Sequence, residues 1–248
     1  MRNTKEIKLI LTALYCINFL GNKDEDIDKI LRYAFSRIFD SNTNLLTLAC
    51  VGKTKESELP TPEEFTYWKD RQNRTFYVDY EIDECYSLVE LAKIIIQMNI
   101  EEKDVRKEDL KPIRLFIHSY GGDLEQANFF CDLAQASRIP IITIAMGVAM
   151  SAGFLIFLSG HKRYAFKHTQ LMVHSGSAAF QGTAEQIEEA QKNYKKQIEE
   201  MKAYILERTE IDEKTFNRNK NKDWYLTSDE LLKYKVIDDV ITDLSVII

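Results

Sequence analysis

The sequence predicts a layered α/β fold preceded by a small helical region, and three observations support this. Short runs of β-branched and aliphatic residues, "IRLFIHS" and "IPIITIA" among them, alternate with stretches in which apolar residues recur every three or four positions. Strands alternating with helices of this length build a sheet layered with helices. The strand runs are nearly continuously apolar, which predicts a sheet covered on both faces. The alternating texture starts only near Arg74, after a helical and then polar stretch, so two regions are expected: 1–70, a helical extension, and 71–248, the main domain.

The elements follow in order. Residues 5–20 and 24–40 read as helices. In the second, "DEDIDKILRYAFSRIF", Ile27, Ile30, Leu31, Ala34, Phe35 and Ile38 recur at helical spacing, with acids at the start and Arg37 near the end. The apolar part of the first is short of the roughly 20 residues a membrane span needs. It is followed by "NKDED" and not by a small-residue cleavage site, so a buried helix is the preferred reading and a signal peptide the alternative. Residues 52–73 are polar, hold Pro60 and Pro62, and read as a loop-rich join. "TFYVDYEI" is a strand. "DECYSLVELAKIIIQMNIEEK" is a helix with Leu88, Leu91, Ile95 and Met98 on one face. "IRLFIHS" is a strand ending in "YGGD", "LEQANFFCDLAQAS" a helix, and "IPIITIA" a buried strand whose apolar run ends at Gly147. A long helix spans 184–208. Thr183 and Gln186 have capping-box spacing at its start, and Ile187, Ala190, Tyr194, Ile198, Met201 and Ile205 form one narrow apolar stripe. Such a helix projects from the body or packs on a partner.

Composition bounds the function. With 45% apolar and 29% charged residues and few Gly and Pro, the chain is neither collagen-like nor disordered. A net charge of −6 carries none of the basic footprint of a nucleic-acid binder. Cys16, Cys50, Cys85 and Cys131 are far apart and form no CxxC pair. Free thiols in a reducing compartment are therefore expected, with no metal site and no cofactor.

Three features carry chemistry. Ser151 stands among small residues in "GVAMSAG", between a strand and an apolar helix, where the N–H of Ala152 would point out of the first helical turn. Gly121 and Gly122 close a buried strand and allow a ligand to approach the backbone. The N–H groups of Gly122 and Ala152 are the kind of pair an oxyanion hole requires. His174 ends the strand "TQLMVH". Taken singly, each has an ordinary structural reading: a packing serine, a turn, a core histidine. "AMSAG" also lacks the first glycine of the G-x-S-x-G elbow.

The ordered run "LFIHSYGGDLEQANFFCDL…GVAMSAGFLIFLSGHKRYAFKHTQLMVHSG…AFQGTAEQIE" resembles the ClpP family of serine peptidases, the proteolytic subunits of ATP-dependent Clp proteases, over roughly residues 74–243. The resemblance implies a ClpP/crotonase-like repeated ββα fold with the long helix as a projecting handle. It implies Ser151 as nucleophile, His174 as base and Asp223 of "KDWYLTSDELL" as the acid that orients the imidazole, with Gly122 and Ala152 as the oxyanion donors. Gly121, Asp123, Leu124, Ser175 and Gly176 would contact the substrate. The substrate would be a peptide or unfolded protein. The chain would form a homo-oligomeric ring, of which stacked heptamers are one form, in the cytoplasm, with an AAA+ unfoldase as a partner the resemblance admits and with no nucleic acid or membrane.

The sequence departs from the family pattern at Tyr120 (usually Pro), His118 (usually Asn), Ala152 (usually Met) and Trp224 (usually Arg), and no x-Pro follows His174. The family's Arg couples ring stacking to activity, so its loss bears on how activity would be switched. Some 70 residues precede the first matching strand, where the family has a short gating segment. Three other readings stay open: a catalytically idle scaffold subunit assembling with an active paralogue; a crotonase-type acyl-CoA enzyme, for which Asp123 or Glu125 would supply the carboxylate; and a Ser–Lys peptidase using Lys162 or Lys167.

Overall fold

Apolar β-branched runs form the strands here, and the amphipathic stretches between them form helices that cover one face of the sheet. The computed structural model describes residues 62–83 and 86–247. The helices expected over 5–20 and 24–40, and Cys16, Cys50 and Cys85, lie outside the described residues. The described elements are α1 (Pro62–Gln72), β1 (Thr75–Val78), α2 (Tyr86–Glu101), β2 (Ile113–Ser119), α3 (Leu124–Ala136), β3 (Ile141–Met150), α4 (Ala152–Leu158), β4 (Lys162–Phe166), β5 (Gln170–Val173), α5 (Ala184–Arg208), α6 (Glu213–Asn219), β6 (Trp224–Leu226), α7 (Ser228–Lys233) and β7 (Asp239–Ile241). Phe65–Ile248 forms one compact unit.

The sheet runs β1-β2-β3-β4-β7, all parallel, while β5 pairs parallel with β3 and β6 pairs antiparallel with β5. This is the α/β architecture the alternation predicts. One face carries the main core, in which Ile95 of α2, Phe130 of α3, Phe154 of α4 and Ile205 of α5 close over Val78, Ile117 and Ala145. Among the described residues the other face is covered less completely than expected. Its centre, Ile144, is buried with Ile241 and Ile247, while Phe116, Tyr164 and Phe166 around it are only partly buried. Burial in β2 alternates as in a strand covered on one side, because the α2–α4 layer serves only one face.

Two local expectations are corrected. The loop-rich join expected through residue 73 becomes helical at Pro62. Proline suits a first helical position, since its missing N–H would have no partner there, and Lys69 and Arg71 complement the C-terminal end. The apolar strand expected to end at Gly147 continues to Met150. Between its β2 pairings Ile117↔Ala145 and Ser119↔Ala149, β3 advances four residues while β2 advances two. Gly147 sits in this bulge at φ +77°, and a Cβ there would lie 2.6 Å from His118 Nδ1, so glycine is strongly favoured. The bulge divides the free edge of β3: Ile142–Ala145 pair with β4, and Val148–Met150 pair with β5. That switch turns the end of β3 toward β5, the strand that leads into His174.

Cys131 is a free thiol, buried in α3 and donating to the carbonyl oxygen of Leu155 at 3.3 Å. Burial pushes this thiol up to about 12.

Candidate active site

Strand register brings the three residues together. Met150 pairs with Met172 across β3–β5, and the Ser151 N–H donates to the Met172 carbonyl at 2.9 Å. Ser151 therefore stands beside the end of β5, where His174 follows two residues later. Ser151 is N-cap of α4 with φ +54° and ψ −123°, a left-handed conformation that a non-glycine residue adopts only under constraint. Its Oγ lies 2.8 Å from His174 Nε2. The β5–β6 ladder pairs Val173 with Trp224, so its next rung sets Asp223 opposite His174. The gap from Nδ1 to Asp223 Oδ1 is 3.6 Å, longer than a hydrogen bond. Asp223 is 59% exposed against 25% for His174, so water competes for its carboxylate.

The glycine turn packs directly behind the serine. Gly121 has φ +107°, and a Cβ on it would lie 2.7 Å from Ser151 Cβ and 2.6 Å from the Met150 carbonyl oxygen. Gly122 has φ +142°, and a Cβ there would overlap the carbonyl of Ile82. The turn is held by bonds from Ile82 N–H to Gly121 O (2.7 Å), from Asp123 N–H to Ile82 O (2.5 Å) and from Ser119 Oγ to Tyr80 O (2.7 Å). Ala152, at the first position of α4, has no intrahelical acceptor for its N–H.

A cavity of about 350 Å³ opens beside Ser151, Ala152, Gly122 and His174. Leu124, Leu155, Val173, Ile198 and Met201 form its apolar lining. Of the residues expected to contact a substrate, Asp123, Leu124 and Gly176 line it, while Gly121 and Ser175 do not. The Asp123 carboxylate accepts from the Gln126 N–H at 2.8 Å and so caps α3. Ser175 is bonded into the scaffold, its N–H donating to Lys220 O and its carbonyl accepting from Tyr194 Oη. The wall supplied by α5 (Tyr194, Gln197, Ile198 and Met201) was legible only as an apolar stripe, which marks a packing face without saying what it packs on.

Residues 81–243 match the family model for Clp protease. The chain belongs to the Clp protease family. It is also 29% identical over 131 residues to the ATP-dependent Clp protease proteolytic subunit of Deinococcus radiodurans, an alignment that covers 52% of this chain and 64% of that protein.

The departures from the Clp protease pattern have definite places. Tyr120, where the family commonly has proline, is 69% exposed. His118 accepts or donates nothing toward Ser151; its Nδ1 lies 2.7 Å from the Met146 carbonyl oxygen, inside the β3 bulge. Trp224, in the place of the family's Arg, is buried with its ring edge-on to Tyr234. Lys162, one of the two lysines offered as an alternative base, is exposed and lies 3.9 Å from Asp238.

Proposed function

We propose that this chain is a serine endopeptidase of ClpP type, cleaving peptide bonds through an acyl-enzyme. The observation that carries this reading is the 2.8 Å approach of His174 Nε2 to the Oγ of a strained, cavity-facing Ser151. Ser151 Oγ attacks the peptide carbonyl carbon as His174 takes its proton. The oxyanion accepts from the N–H groups of Gly122 and Ala152. His174 then protonates the leaving amine, and water, deprotonated by His174, hydrolyses the ester. Asp223 orients the imidazole once the 3.6 Å gap closes to hydrogen-bond length. Homo-oligomeric enclosure of the site and delivery of unfolded chains by an AAA+ partner belong to the same reading, as does the division of the chain into a 1–70 extension and a 71–248 peptidase domain.

The test is labelling of the purified full-length protein with a fluorophosphonate probe and mapping of the adduct. The expected result is an adduct on Ser151 that disappears in His174→Ala. Peptide hydrolysis that persists in Ser151→Ala would remove the serine from the mechanism.

The idle-subunit reading is favoured by one observation, the open and exposed Asp223–His174 contact. It predicts no adduct in the isolated protein and an adduct on a partner subunit in a mixed assembly. The acyl-CoA reading has less support: Asp123 is occupied in capping α3 and Glu125 accepts from Gln197.

A further inference from the structure

Beside its apolar wall, the cavity next to Ser151 carries two carboxylates, Asp123 and Glu125, and none of the residues lining it is Lys or Arg. The two acids differ in what holds them. Asp123 is turned onto its own helix, with one oxygen accepting from Gln126 N–H. Glu125 is exposed in the first turn of α3 and is gripped from across the cavity, where Gln197 Nε2 of α5 donates to its Oε1 at 2.8 Å. Among the described residues no cation forms an ion pair with Glu125. A neutral amide orients a carboxylate without neutralising it. The result is a positioned negative charge at the rim of an apolar recess.

A side chain that satisfies both parts has a methylene stem and a cationic head. We propose that Glu125 makes this recess a subsite for lysine or arginine on the acyl side of the scissile bond. The assignment to the acyl side follows from Gly122 and Ala152 lining the same cavity: a carbonyl held on their N–H groups places its own residue's side chain in the recess. This rests on the peptidase reading above for the identity of the ligand as a peptide, though not for turnover. The stem packs on Leu124, Leu155 and Met201, and the head meets the Glu125 oxygen that Gln197 does not occupy. A wholly apolar side chain of the same length gains the stem contacts alone and leaves the carboxylate to water.

The test separates binding from catalysis. Full-length Ser151→Ala protein is titrated by fluorescence anisotropy with two fluorescein-labelled peptides that differ only in a C-terminal lysine or norleucine. The titrations are repeated in Glu125→Gln on the same background, a change that keeps an acceptor for Gln197 and removes the charge. The lysine peptide is expected to bind about two- to fivefold more tightly, as suits one exposed ion pair. The preference is expected to shrink with added salt and to vanish in Glu125→Gln. Equal or tighter norleucine binding, a lysine preference that survives Glu125→Gln, or no binding of either peptide would each overturn the subsite. Failure of the peptidase reading looks different: no fluorophosphonate adduct on the wild-type protein together with an intact lysine preference would leave the subsite in an idle subunit.

Discussion

Ser151 at φ +54° and Gly121 at φ +107° are the two positive-φ residues on which the geometry turns, and a Cβ on Gly121 would lie 2.7 Å from Ser151 Cβ. A side chain at 121 is opposed both by its backbone conformation and by Ser151 Cβ, so it cannot be absorbed by a rotamer change. Gly121→Ala is expected to cost about 1–3 kcal/mol, within the range for strain and overpacking. It should also move Ser151 away from His174. A lowered denaturant midpoint together with slowed fluorophosphonate labelling checks this, and an unchanged labelling rate would mean the turn and the serine are not coupled. The residue types at this site were legible in order along the chain. The distances were not, because a 3.6 Å and a 2.8 Å separation leave the same letters in the sequence.

At the scale of elements, α4 is held at both ends. Its N-terminus carries Ser151; its C-terminal carbonyls are met by arginines from elsewhere in the chain. Arg208, in the last turn of α5, donates through Nε to Leu158 O at 3.0 Å and through Nη2 to Gly160 O at 2.7 Å. Arg163 of β4 donates to the Arg208 carbonyl at 2.8 Å and to Lys235 O at 2.8 Å, joining the turn after α7 to the same cluster. A guanidinium suits this role because its fixed fork reaches several carbonyls at once. Arg208→Ala is expected to destabilise the fold by about 2 kcal/mol, the scale for hydrogen bonds to a charged group. Arg208→Lys should recover only part of this, and calorimetric melting of both variants decides the matter. The capping box at Thr183 was legible from the spacing of Thr183 and Gln186 and is present with both of its bonds. The short strands β4, β6 and β7 were not, because three to five residues hold too little periodicity to separate a strand from a loop.

For the whole molecule, α5 does two jobs along one stripe. Met201 and Ile205 are buried in the core, Tyr194 and Ile198 wall the cavity, and Ile187 and Ala190, toward the N-terminus, stay half-buried with no core contact. If that outer half is a contact between copies in the proposed assembly, Ile187→Glu should give a smaller species in analytical ultracentrifugation with the protomer's stability changed by less than about 0.5 kcal/mol, the usual range for a surface site. Unchanged assembly would place the interface elsewhere. By itself, the sequence determined the α/β alternation, the long capped helix and the glycine turn near Ser151, because periodicity, caps and glycine turns act over a few residues; the order of serine, histidine and aspartate was legible only through the resemblance to the family. Only the tertiary structure decided which strands lie side by side. The β3 bulge at Gly147 moves the serine's strand from β4 to β5, the antiparallel β6 returns Asp223 opposite His174, and α5 closes over the cavity so that Gln197 meets Glu125. Those pairings join residues up to 72 positions apart, and such contacts arise from packing the whole core at once, which no local pattern encodes.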